Sequence, residues 1–183
     1  MVKRFKYFFP VFMTMGMVFQ SVHNVSSQNK IIDSLIILIQ KDKPDTNKVK
    51  HLNDLGWELM YANPDTAIIL SKQAASISQK RQWKHGVANS LGQIGTYYLY
   101  KGDYSNALDH FFSSLKVEKK IGDKKGIATA LGNIGNAYNY LADYPKALTN
   151  YLSALKMKEE IGNKTGIAIT LGNIGNVYFY LGN

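Results

Sequence analysis

LGNIGNAYNY, residues 131–140, returns as LGNIGNVYFY at residues 171–180. Two glycines three apart, set beside asparagines, raise the question of a phosphate-cradling loop. That chemistry needs G-x-G-x-x-G opening a helix after a strand, or G-x-x-x-x-G-K-[ST] with its lysine reaching the phosphates. Neither is present: GIATA and GIAIT, ahead of the two copies, are not turn-bounded β runs, and no Lys-Ser or Lys-Thr follows the glycines at the required spacing. The glycines need another cause.

Repetition supplies one. Aligning Gly86, Gly126 and Gly166 gives a 40-residue period, with 18 of 40 positions identical between 86–125 and 126–165, and 12 of 18 between 126–143 and 166–183. Such self-similarity marks stacked supersecondary units. Within one unit Ile127, Leu131, Ile134, Tyr138 and Leu141 recur at spacings of four and three, one face of a helix. DYPKAL (143–148) restarts a helix, because Asp143 can cap free amides and Pro145 suits a first turn whose N–H is unpaired anyway. Leu148, Tyr151, Leu152 and Leu155 carry on the apolar face, and the helix is expected to end near Ile161-Gly162, where glycine can take the left-handed cap. The expected fold is all-α, an α-solenoid of antiparallel helix pairs.

These pairs resemble the tetratricopeptide repeat (TPR), whose pattern W-x2-L-G-x2-Y…A-x3-F is met by Leu91, Ile94, Gly95, Tyr98, Ala107 and Phe111. It is met again by Leu131, Ile134, Gly135, Tyr138, Ala147 and Tyr151. A third copy starts at Leu171, Ile174, Gly175 and Tyr178, and a degenerate one is visible in Leu52, Leu55, Gly56, Leu59, Ala67 and Ala74. The tryptophan and the late proline are missing, and the six extra residues per unit look like the 40-residue variant of kinesin light chain and cell-polarity adaptors, with the second helix expected to be lengthened. The organisation implied is a leading helix and linker over 28–47, a degenerate repeat over 48–85, full repeats over 86–125 and 126–165, and the first helix of an incomplete repeat over 166–183. The leading helix is expected to cover the open face of the first repeat, since solenoid ends need covering. A helix-interior glycine costs about 0.5–1 kcal/mol relative to alanine. Close approach of paired helices at Gly95, Gly135 and Gly175 is the expected compensation, making the motif a packing seam.

The first 27 residues differ from the rest. Lys3, Arg4 and Lys6 precede a 13-residue apolar run, Tyr7 to Phe19, followed by polar SVHNVSSQ, the order of a secretory signal peptide. The run is shorter than the about 20 residues of a membrane span and contains Pro10. Cleavage between Ser27 and Gln28 is expected, with Val25 and Ser27 as the small residues before the cut, and the mature chain exported to the periplasm or cell envelope. Removing this segment leaves 19 basic against 13 acidic residues, a formal +6 in place of +9. Lys116, Lys119, Lys120, Lys124 and Lys125, with their glutamate neighbour, read as a solvated face, and no nucleic-acid partner is expected.

Catalytic chemistry is not legible. The chain has no cysteine, so disulfides, thiolate metal sites and a cysteine nucleophile are excluded. No H-E-x-x-H or G-x-S-x-G occurs, His51, His85 and His110 fall in different units without metal spacing, and Glu159-Glu160 reads as a surface pair. No metal, cofactor or enzymatic activity is expected. What the TPR resemblance implies is a protein or extended peptide held in the concave groove of a superhelix, with groove positions falling on Asn89, Gln93, Thr96 and Tyr100, on Thr129, Asn133, Asn136 and Tyr140, and on Asn173, Asn176 and Tyr180. Their amides form a ladder of paired donors and acceptors suited to peptide groups. Truncating Asn133 and Asn136 is expected to weaken binding without disturbing folding. The sequence stops at LGN after one helix of a repeat, which resembles the sensory part of a longer membrane signalling protein; membrane contact is expected only through the signal segment or a C-terminal anchor beyond Asn183.

Overall fold

The computed structural model describes residues 28–182, so the expected signal segment lies outside the described residues. The described chain is all-α: α1 (Gln28–Lys41), α2 (Thr46–Leu59), α3 (Pro64–Lys80), α4 (Lys84–Tyr100), α5 (Tyr104–Ile121), α6 (Lys124–Tyr140), α7 (Tyr144–Glu160) and α8 (Lys164–Tyr180). Polar caps set the starts. Asp143 accepts from the Lys146 amide with Pro145 in the first turn of α7, and Asp103, Asp123 and Asn163 cap α5, α6 and α8 in the same way. In the unit 84–121 the helices have 17 and 18 residues, and in the unit 124–160 both have 17. The second helix is longer than the first by one residue in the unit 84–121 and equal to it in the unit 124–160.

Each helix packs on its sequence neighbours, and among next-nearest neighbours only α2–α4, α4–α6 and α6–α8 touch. The outer helices α3, α5 and α7 are splayed apart, so the stack curves with α2, α4, α6 and α8 on its inner wall. Three buried clusters run along it. Tyr98 packs against both the first and the second, and Tyr138 against both the second and the third. The leading helix α1 packs on α2 and buries Ile32, Leu35 and Ile39.

The seam glycines sit where side chains of the partner helix arrive. A Cβ on Gly95 would lie 2.6 Å from the Phe111 ring, and one on Gly135 would lie 2.6 Å from the Tyr151 ring. The expected seam at Gly175 is not seen, since a Cβ there meets nothing within 4 Å; among the described residues no helix follows α8 to pack at that position. The first glycine of each motif behaves differently. Gly92 and Gly132 have only Ser114 Oγ at 3.6 Å and Lys158 Nζ at 3.7 Å near their added Cβ positions, which is ordinary contact.

Turns between helices repeat with the same 40-residue register. Gly102 and Gly182 take φ of +76° and +78°, while Ala142 between them is held at φ +56°. Alanine in the left-handed region is strained by roughly 1 kcal/mol where glycine is not. Ala142→Gly is expected to raise the melting temperature by a few degrees; a lower one in thermal denaturation would show that chain entropy outweighs the strain.

Candidate functional site: the concave groove

Seven of the eleven positions named from the sequence converge. Asn89, Gln93, Thr96 and Tyr100 from α4 and Thr129, Asn133 and Asn136 from α6 line one groove of about 640 Å³, with Trp57 of α2 at one edge and Phe111 and Ser114 of α5 in the floor. Thr129, Asn133 and Asn136 also line a second groove of about 300 Å³, joined there by Asn173 of α8. The 3.6-residue period explains the convergence, because positions spaced by three and four along one inner helix share a face. Gly92 and Gly132 lie on these walls. A glycine there leaves backbone exposed and the groove wide, which explains a residue that the seam does not.

Tyr140, Asn176 and Tyr180 are not on either wall. Tyr140 stacks on Tyr104 at 5.7 Å between centroids and Tyr180 on Tyr144 at 5.9 Å, both pairs within 8° of parallel. These rings tie the end of an inner helix to the start of the outer helix beside it, and both tyrosines remain exposed. Tyr100 lines the groove but also meets Tyr61 edge-on, with 3.2 Å between hydroxyls.

The amide ladder is partly spent inside the protein. Asn136 Oδ1 accepts from the Tyr151 hydroxyl at 2.7 Å and from Asn173 Nδ2 at 3.1 Å. Gln93 Oε1 accepts from the hydroxyls of Ser71 and Tyr97. Burial pushes the Tyr97 and Tyr151 hydroxyls up to about 12, so both remain donors. Truncating Asn136 would leave the Tyr151 hydroxyl without its acceptor, at a cost of about 1–3 kcal/mol. The expectation that Asn136 can be removed without disturbing folding therefore does not hold. Asn89 and Asn133 have no such internal partner, and their amides stand open to the groove.

Charged residues also line these walls, and the sequence reading passed them over. Glu118 of α5 is 7% exposed and Asp123 caps α6, both on the larger groove. Burial raises the Glu118 carboxyl above the usual range, the Asp123 charge adds to this, and His85 opposes it. The glutamate among the lysines is thus not on a solvated face. One repeat onward, Lys158 takes the place of Glu118 on the smaller groove, where burial lowers its ammonium and its Nζ donates to Thr170 Oγ1 at 2.7 Å. The signal was available as the exchange of Glu118 for Lys158 at one repeat position. Although the three histidines show no metal-ligand spacing in the sequence, the fold brings His85 close to Glu118 and Asp123.

Residues 126–183 match the tetratricopeptide repeat family. Among solved structures, the chain is similar to aspartyl phosphate phosphatase F from Bacillus subtilis, with a TM-score of 0.73 and 18% identity over 85% of this chain and 40% of that one. It is also similar to a Rap protein complexed with Competence and Sporulation Factor, with a TM-score of 0.73 and 18% identity over 92% of this chain and 47% of that one. A putative kinesin light chain with nearly identical TPR-like repeats from Podosopora anserina gives a TM-score of 0.62 and 11% identity over 93% of this chain and 82% of that one. The chain thus spans less than half the length of the first two, and identities this low carry the fold alone. A comparison with curated proteins finds no significant match.

Proposed function

From a chain that carries tetratricopeptide repeats, we propose a non-enzymatic scaffold that holds a protein or an extended peptide in its concave groove. The observation that carries this is the pair of open amides, Asn89 on α4 and Asn133 on α6, facing one groove of about 640 Å³. Each amide offers a donor and an acceptor, so together they can pair with successive peptide groups of an extended ligand while Trp57 and Tyr100 supply apolar area. The complex of a Rap protein with Competence and Sporulation Factor supports a scaffold of this fold taking a partner.

Asn89→Ala combined with Asn133→Ala is expected to weaken binding at least tenfold, about 1.4 kcal/mol, with an unchanged melting temperature. The measurement is fluorescence anisotropy with an extended peptide selected by display against the wild-type chain. Equal affinity in the double variant would remove the groove amides as the binding surface.

Export to the periplasm or cell envelope belongs to the same proposal and rests on the basic, apolar, polar order of residues 1–27. Among the described residues no helix is long and apolar enough to cross a membrane. Cell fractionation with N-terminal sequencing tests it, and a mature chain that keeps Met1 in the cytoplasm would refute it. A second reading makes the chain the N-terminal sensory part of a longer membrane signalling protein. It is favoured by α8 and its C-cap, where Leu171, Phe179 and Leu181 are exposed at 51%, 78% and 43%, an apolar surface suited to a further helix. Reading the gene past Asn183 decides it: a stop codon within one helix length rejects the sensor, and a following apolar span supports it.

A further inference from the structure

We propose that His85, Glu118 and Asp123 form a binding site for one divalent first-row transition ion of the zinc class, at the junction between the repeat of α4 and α5 and the repeat that follows. His85 is in the first turn of α4, Glu118 in the last turn of α5, and Asp123 is the N-cap of α6. One potential ligand atom from each lies within 4.8 Å of the other two. An imidazole nitrogen with two carboxylates suits zinc and its neighbours, which bind nitrogen and oxygen at about 2.0–2.2 Å and accept three protein ligands with water in the fourth position. Calcium would want about six to eight oxygens, more than this trio offers.

Proximity alone would be unremarkable, and the state of Glu118 makes it informative. Its side chain is 7% exposed, and its Oε2 is buried with no hydrogen-bond partner. A buried carboxylate oxygen without a partner is costly, and a cation among these three groups removes that cost. The surroundings hold the other groups ready. Asp123 Oδ1 is fixed by the Lys125 and Gly126 amides, which leaves Oδ2 turned to His85 Nδ1 at 3.6 Å, beyond a hydrogen bond. Gly126 makes the space for the carboxylate, since a Cβ there would lie 2.3 Å from Glu118 Cδ.

The repeat provides an internal comparison. Forty residues on, the three positions are Lys125, Lys158 and Asn163, and Lys158 is bonded to Thr170. Those three positions supply neither a carboxylate nor an imidazole. Forty residues before, they are Asp45, Ser78 and Trp83, which lack the imidazole and the second carboxylate. The prediction is one ion per chain, with its open coordination position toward the groove that Glu118 and Asp123 line.

Titration of the untagged, metal-free full chain with zinc chloride in a calorimeter is expected to show one saturable site, with a higher melting temperature when loaded. His85→Ala and Glu118→Gln should each weaken that site at least tenfold, and Glu118→Gln should melt higher than wild type without metal. Cobalt(II) should give a visible absorption band that His85→Ala abolishes. Should Glu118→Gln fail to fold, His85→Ala decides alone, because that ring is half-exposed and outside the core. No saturable zinc binding, zinc binding undiminished in the variants, or calcium binding as tight as zinc would each overturn the proposal.

Discussion

Gly135→Leu is expected to lower the stability of the array by about 1–3 kcal/mol or more, the cost of overpacking a filled site. The leucine Cβ would fall 2.6 Å from the Tyr151 ring. That ring is 1% exposed, and its hydroxyl is held by Asn136, so it cannot swing aside without breaking a buried hydrogen bond. Thermal denaturation should show a fall of several degrees, at roughly 2–4 °C per kcal/mol for a chain of this size. Gly132→Ala is the control, since its Cβ has only Lys158 Nζ at 3.7 Å, and it should melt no lower than wild type. An unchanged melting temperature for Gly135→Leu would refute the seam.

What the sequence made legible follows from short-range periodicity. The apolar face of α6, the Asp143 cap with Pro145, and the glycine seam are set by residues within one helix or one turn, and they recur every 40 residues. The convergence of Asn89, Gln93, Asn133 and Asn136 was legible for the same reason, as inner-helix positions at a fixed phase. Three features were not. Tyr140 and Tyr180 share the phase of Tyr100, but each stacks on the first tyrosine of the neighbouring outer helix, Tyr104 or Tyr144, a long-range pairing that phase does not show. Asn136 looks like its repeat mate Asn176, yet only Asn136 faces a tyrosine hydroxyl of a following outer helix. The His85, Glu118 and Asp123 cluster joins residues 33 and 38 positions apart, from three helices. Local spacing rules for metal ligands have no term for such a meeting, although the exchange of charge at the repeat position was visible.

Phe111→Ala should have the largest effect of any single change, about 3–5 kcal/mol for a fully buried aromatic ring. Phe111 is 0% exposed and packs with Leu115, Ala130, Ile134 and Ala137 in the central cluster, with its ring against Gly95. The seam glycine cannot fill the cavity, because its partner across the helix pair has no side chain to move. In a stack where each unit contacts only its neighbours, stability is close to a sum of units and interfaces. The loss therefore should stay local. The central cluster reaches the first through Tyr98 and the third through Tyr138, and weakening it removes the mechanical link between the two ends. Hydrogen exchange should show protection falling first in α5 and the facing halves of α4 and α6, while α2 and α3, whose cluster includes Leu52, Leu55 and Leu70, keep theirs. A single cooperative loss spread evenly over α1 to α8, or a cost below about 1 kcal/mol where core truncations usually exceed it, would show that the three clusters act as one core and that the chain does not behave as a linear stack.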